Sequence, residues 1–244
     1  MAFGLFLSQG KVHGYAFNPW TTITGDKTFA INPFFYTTVG SNSVVYSMDM
    51  LFQTGLSSNV DVFFNVATLG LTASTSNGAA GTPSYAGTWI MPRIDIGSGI
   101  VLGLNLGYAG TSGSYAYVQP EFHGFWETDI FAFEATVKYQ FGALPNLIGT
   151  PASLQMTGSA FLAPVLKIAK DIFHIYLEID PTIVIPTAKG SSTSFSLLFE
   201  PGLWFKLGGS HQISIAWTGL GLTSGTFAAT PSFGMWYYTT WGLK

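Results

Sequence analysis

Apolar and polar side chains alternate with a period of two along most of the chain, and a helical 3.6-residue period is hard to find. In SVVYSMDMLFQTG (43–55), Val44, Tyr46, Met48, Met50 and Phe52 share one face, while Val45, Ser47, Asp49, Leu51 and Gln53 share the other. IVLGLNLGYAG (100–110) sets Leu102, Leu104, Leu106 and Tyr108 against Val101, Gly103, Asn105 and Gly107. HIYLEIDPTIVIP (174–186) sets Ile175, Leu177, Ile179, Ile183 and Ile185 against His174, Tyr176, Glu178, Asp180 and Thr182. Turn-forming clusters such as GSN (40–42), GSG (97–99) and GTSG (110–113) separate the runs. The pattern predicts about thirteen strands, over 11–24, 27–39, 42–56, 59–72, 84–97, 99–110, 114–127, 129–142, 152–168, 171–186, 193–207, 210–222 and 230–242. No linker or shift in composition divides them, so residues 1–244 are read as one domain.

Length and charge placement distinguish two all-β architectures. Strands of soluble proteins usually run about 5–6 residues, and membrane-spanning ones need about 9–11. Of the 12 acids, Asp26, Glu127, Asp129 and Asp171 fall in predicted turns. Asp49, Asp61, Asp95, Glu121, Glu134, Glu178, Asp180 and Glu200 share the polar parity, as do Arg93, Lys138 and Lys206. A charge facing lipid at the midplane costs about 2–4 kcal/mol, so a lipid-facing surface excludes it. A β-sandwich core would exclude charge too, but its outer face would then be far more charged. The fold expected is a transmembrane antiparallel β-barrel, all-β, of 12–14 strands.

From the 42–56 strand onward, short connections alternate with longer ones, as periplasmic turns alternate with external loops. That phase puts the C-terminus in the periplasm. It also makes 11–24 a descending strand, so AFGLFLSQ (2–9) would ascend before it and 14 strands are favoured.

Composition narrows the picture further. Only 9% of residues are charged, against about 25% in ordinary globular proteins, and aromatics reach 16%. A net charge of −3 without a basic cluster excludes nucleic acid as a partner. Cysteine is absent, which removes disulfides and thiolate chemistry. No stretch of 18 uninterrupted apolar residues suggests a helical span. The opening MAFGLFLSQGK lacks a basic segment and a cleavage site, and reads as a mature form restarted at Met.

Pro19, Pro33, Pro92, Pro120, Pro164, Pro181, Pro201 and Pro231 interrupt predicted strands, all on the apolar parity. Proline lacks an N–H and normally belongs on edges or bulges. Two accounts are available: a wet barrel interior that satisfies the carbonyl left without a donor, or bulges at which the parity resets.

The polar parity supplies the candidate chemistry. Asp49, Asp61, Arg93, Asp95, Glu121, His123, Glu134 and Lys138 are expected to line the lumen. So are His174, Tyr176, Glu178, Asp180, Glu200, Trp204 and Lys206. Carboxylates interleaved with aromatics would make a narrow amphipathic passage. The competing reading is that the bases pair with the acids and fill the bore as a polar plug. His123 lies two residues from Glu121 and His174 four from Glu178, yet no HxH or HExxH pattern occurs. No metal site, cofactor or catalytic residue is therefore expected. Trp126, Trp217, Tyr237 and Trp241 fall on the outward parity near strand ends, where interfacial aromatics belong.

TGLSSNVDVFFNV (54–66), FAFEATVKYQFG (131–142) and DPTIVIPTAKG (180–190) resemble a hairpin, a strand and a strand-to-loop junction of a family of Gram-negative outer-membrane barrels. That family is of the phenol-degradation (MetA-pathway) or transporter type; Ala188 stands where its members usually carry glycine. The resemblance implies a bacterial outer-membrane channel for small organic compounds, aromatic ones among them. Membrane lipids and small organic solutes are then the expected partners, with a second copy or an envelope protein as a further one. A non-conducting barrel that serves as an envelope scaffold is the alternative.

Overall fold

The computed structural model describes residues 23–39, 43–74, 81, 83–109, 115–144, 155–169, 172–186, 192–206, 211–218, 220–221, 230–237 and 239–242. Among them the chain is entirely strand, turn and irregular structure. The strands are β1 (Thr28–Val39), β2 (Ser43–Gly55), β3 (Val60–Ser74), β4 (Ser84–Gly97), β5 (Ile100–Ala109), β6 (Tyr115–Glu127) and β7 (Phe131–Leu144). They continue as β8 (Gln155–Ala169), β9 (Phe173–Pro186), β10 (Ser194–Lys206), β11 (His211–Thr218), β12 (Leu220–Gly221), β13 (Thr230–Tyr237) and β14 (Thr239–Gly242). Each follows one of the alternating runs from 27–39 onward, because the period that hides one face from the other is a strand's own.

Sequential strands pair antiparallel from β1 to β10. β11 pairs with β10 and with β13, and β13 pairs with β1, so the ladder closes on itself. The fourteen segments occupy twelve positions round the ring: β12 continues β11 beside β10, and β14 continues β13 beside β1. Both edges of β1 are thus taken. The expected strands over 2–9 and 11–24 fall outside the described residues, except for the last two positions of the second, which are irregular.

Burial follows the alternation. On β5, Leu102, Leu104, Leu106 and Tyr108 are exposed, whereas Val101 and Asn105 are buried. An inverted pattern of this kind, with large apolar side chains outside and polar ones inside, is stable only where the outer solvent is lipid. Closure removes the free edges that an open sheet would leave unsatisfied.

Tight turns hold one end of the barrel. At 97–99, Gly97 and Gly99 both adopt positive φ, and a side chain at Gly99 would run into the Phe125 carbonyl that lies beside it. At 128–130, Thr128 N donates to Phe131 O at 2.7 Å, and Lys167 Nζ bridges Glu127 Oε2 (2.8 Å) and Thr128 O (2.6 Å). Glu127, expected in a turn, is the last residue of β6.

Seven of the eight prolines are described, and each occupies an ordinary ladder position. Pro33 faces Met50, Pro120 faces Leu104, Pro164 faces Phe133, Pro181 faces Leu197 and Pro201 faces Leu177. Register shifts occur elsewhere, chiefly between Asp49 and Leu51 and between Asn65 and Thr68. The bulge account therefore fails for these prolines. The wet-interior account is also weakened, because Asn32, Met91, Gln119, Ala163 and Glu200, each preceding a proline, are buried. Packed side chains rather than bulk water surround them.

Candidate functional site

The polar parity of the strands converges inside the ring, where charge is handled differently on two sides. On the β2–β7 side the carboxylates have partners. Arg93 Nε and Nη2 donate to Asp61 Oδ1 and Oδ2 at 2.9 and 2.6 Å, and both side chains are fully buried. The backbone N–H of Thr24 adds a third bond to Asp61, at 2.9 Å. The Arg93 guanidinium also lies 4.7 Å from the centre of the Phe63 ring, which meets Trp89 edge-on. Planar, bidentate and stacked, this is the geometry for which arginine is suited and lysine is not.

Two strands on, Glu121 Oε1 accepts from Asn105 Nδ2 (2.9 Å) and Gln119 Nε2 (2.6 Å). Its other oxygen lies 3.1 Å from His123 Nε2, while His123 Nδ1 meets Thr136 Oγ1 at 3.0 Å. Lys138 stands directly opposite Glu121 in the β6–β7 ladder and is exposed. Asp49 Oδ1 accepts from Thr68 Oγ1 and from Asn65 Nδ2 (3.1 Å), at the bulge that brings those side chains within reach. The bulge here re-aims donors at a buried carboxylate.

The β7–β10 side is different. Glu178 faces Glu200 in the β9–β10 ladder, and carboxylate oxygens of Glu178, Asp180 and Glu200 lie within 4.8 Å of one another. Glu178 and Glu134 are fully buried; Glu178 shares a hydrogen bond with Asp180, and neither oxygen of Glu134 meets a hydrogen-bond partner among the described residues. Beside the cluster, Trp204 stacks on His174 at 4.5 Å and 11°. Tyr176 lays its ring over Gly202, its cross-strand neighbour, where any Cβ would overlap it. Glycine at that position gives the aromatic ring its seat.

Of the other residues singled out in the sequence, Asp95 is half-buried and its Oδ1 accepts from Gly97 N at 2.7 Å, so its carboxylate serves the turn. Trp126 is exposed and stacks on Phe133 at 6.0 Å. Lys206, Trp217, Tyr237 and Trp241 pair through their backbones with Gln212, Pro231, His211 and Phe29; their side chains lie outside the described set. Sequence reasoning passed over the neutral partners Asn65, Thr68, Asn105, Gln119 and Thr136. The signal available for Asn105 and Gln119 was the parity they share with Glu121, on the neighbouring strand or on the same one.

No protein-family model matches the chain, and no curated protein matches it. Solved structures do. An outer-membrane channel from Pseudomonas putida F1 superimposes with a TM-score of 0.59 at 9% identity, over 92% of this chain and 98% of that one. The NanC porin gives a TM-score of 0.53 at 9% identity, over 86% of this chain and 98% of its own. The chain has the fold of the bacterial outer-membrane β-barrels. The outer membrane is where such a barrel sits, its exposed apolar band against lipid. At this level of identity the likeness concerns the fold, and the phenol-degradation type suggested by the short motifs stands apart from it.

Proposed function

We propose that the protein is an outer-membrane channel through which small, partly apolar or aromatic solutes diffuse, along an interior lined by acids and aromatic rings. The observation that carries this reading is the inward face of β9 and β10. There Glu178, Asp180 and Glu200 stand next to Tyr176 and the His174–Trp204 stack. Carboxylates accept hydrogen bonds from a solute's donor groups, and flat aromatic faces bind its apolar part. Membrane lipids contact the outer face in this reading, with a second copy or an envelope protein as a further partner.

Planar-bilayer recording with the purified barrel tests it. Discrete conductance with a preference for cations is expected, and Glu178→Ala and Glu200→Ala should each reduce that preference. Absence of conductance in the parent and in both variants overturns the channel reading.

One observation favours the alternative of a non-conducting scaffold. Arg93, His123, His174, Glu178 and Trp204 are all essentially inaccessible, so the interior at their level is filled with side chains. A channel built this way conducts only when part of that packing moves, and a low open probability is the corresponding expectation.

A further inference from the structure

We propose that the inner face of the barrel is a docking surface for residues 1–22 of its own chain, which plug the bore. Width is the first reason. An eight-stranded barrel is about filled by its own side chains, and diameter grows roughly in proportion to strand number. The twelve positions of this ring make a bore about half as wide again, more than the wall's side chains alone can fill. Yet Asn32, Gln53, Asp61, His123, Glu134 and Glu178, on six strands round the ring, are at most 1% exposed. Material beyond the wall covers them.

The residues just ahead of β1 show which segment enters. Thr24 is buried; its N–H donates to Asp61 Oδ2 and its hydroxyl to Gln53 Oε1, each at 2.9 Å. Both acceptors belong to the inner face and are fully buried. Thr28 N donates to Gly25 O at 3.0 Å, closing a turn that reverses the chain ahead of β1. Thr24 and Gly25 pass so close to Gly55, at the end of β2, that a Cβ there would overlap their carbonyls. Whatever precedes Thr24 is thereby delivered into the bore, at the end that carries the short turns.

This segment has no place in the wall. The two edges of β1 are taken, by β2 on one side and by β13 and β14 on the other. A strand that crosses the membrane needs about 9–11 residues, so residues 1–22 suffice to cross the bore and turn back. The longer connections, after Ser74, Leu144 and Pro186, leave from the opposite end. In the first of them Gly81 N donates to Thr72 O at 2.7 Å, back onto its own strand.

Charge selects the same occupant. Among the described residues, the buried interior holds six acids and one arginine. Residues 1–22 carry Lys11 and His13 and no acid, with Phe3, Phe6, Phe17 and Trp20 to meet the inward rings of Tyr176 and Trp204. A cavity lined by one sign of charge favours an occupant of the other, and apolar side chains gain by leaving water. Docking is independent of conduction: the segment closes a channel at rest or completes the core of a scaffold.

The test exploits the absence of cysteine, which lets reporters be placed in pairs. In the full chain in lipid vesicles, Ala16→Cys is combined with Ala163→Cys, mid-strand on the inner face of β8. Separately it is combined with Ser58→Cys, exposed in the turn between β2 and β3. A short bismaleimide, read by mass spectrometry of linked peptides, is expected to join the first pair and not the second. If Ala163→Cys does not fold, Ser159→Cys on the same face takes its place. Linkage of the second pair alone overturns the proposal, because the segment then hangs outside the barrel. So does the absence of linkage in either pair, which would leave an external connection as the occupant of the bore.

Discussion

Glu200 on β10 stands directly opposite Glu178 on β9, two buried acidic side chains facing each other across a ladder. Cross-strand neighbours are the units from which a sheet draws its stability, and a like-charged pair at that position opposes it. In buffer free of divalent ions, Glu200→Gln should therefore raise the stability of the barrel by about 1 kcal/mol. Thermal unfolding followed by circular dichroism in micelles would register the gain, and a loss of stability would contradict it.

The Asp61–Arg93 pair predicts the opposite behaviour. Removing one partner of a buried ion pair leaves the other charge unpaired, at a cost of about 3–5 kcal/mol. Arg93→Met should lose that much, and Asp61→Leu combined with Arg93→Met should recover most of it. Urea unfolding of the three variants forms a double-mutant cycle. A loss in the double variant equal to the sum of the two single losses would show that the pair is not coupled.

On the outside, Leu104 lies mid-strand on β5, whereas Ile96 is next to the turn that ends β4. Both are exposed. Leu104→Arg should cost about 2–4 kcal/mol in a bilayer and Ile96→Arg at most about 1, since the penalty falls away from the midplane. Unfolding from lipid vesicles would reveal the gradient, and equal costs would place the apolar band wrongly.

A Cβ at Gly202 would come 2.1 Å from Tyr176 Cζ, so Gly202→Val must expel the ring from its seat. The expected cost is about 1–3 kcal/mol, in the range of overpacked cores. A crystal structure of Gly202→Val would show the Tyr176 ring displaced; an unmoved ring would mean that the strands had parted instead.

Much of this architecture was legible from alternation. The run IVLGLNLGYAG already separates Leu102, Leu104 and Leu106 from Asn105, because a strand's two faces are set by local geometry alone. Glu178 and Asp180 could be placed on the inside for the same reason, through the isoleucines that flank them. The turn at 97–99 was equally clear, since its positive φ values call for glycine. Glu178 and Glu200 could each be placed inside, but a cluster assembled across two strands has no local signature in either.

What the chain alone determined was thus which residues look inward, a property of each strand taken separately. Which of them meet depended on register. Glu178 and Glu200 are far apart in sequence, and a slip of one residue between β9 and β10 would send one of them to lipid. The same holds for Asp61 and Arg93, and for the donors that the bulge at Asn65 turns toward Asp49. Closure was decided at the same level, since only the assembled ladder puts β13 beside β1 and so makes an inside at all. Local alternation carries no information on these pairings, which depend on strands packing against partners distant in the chain.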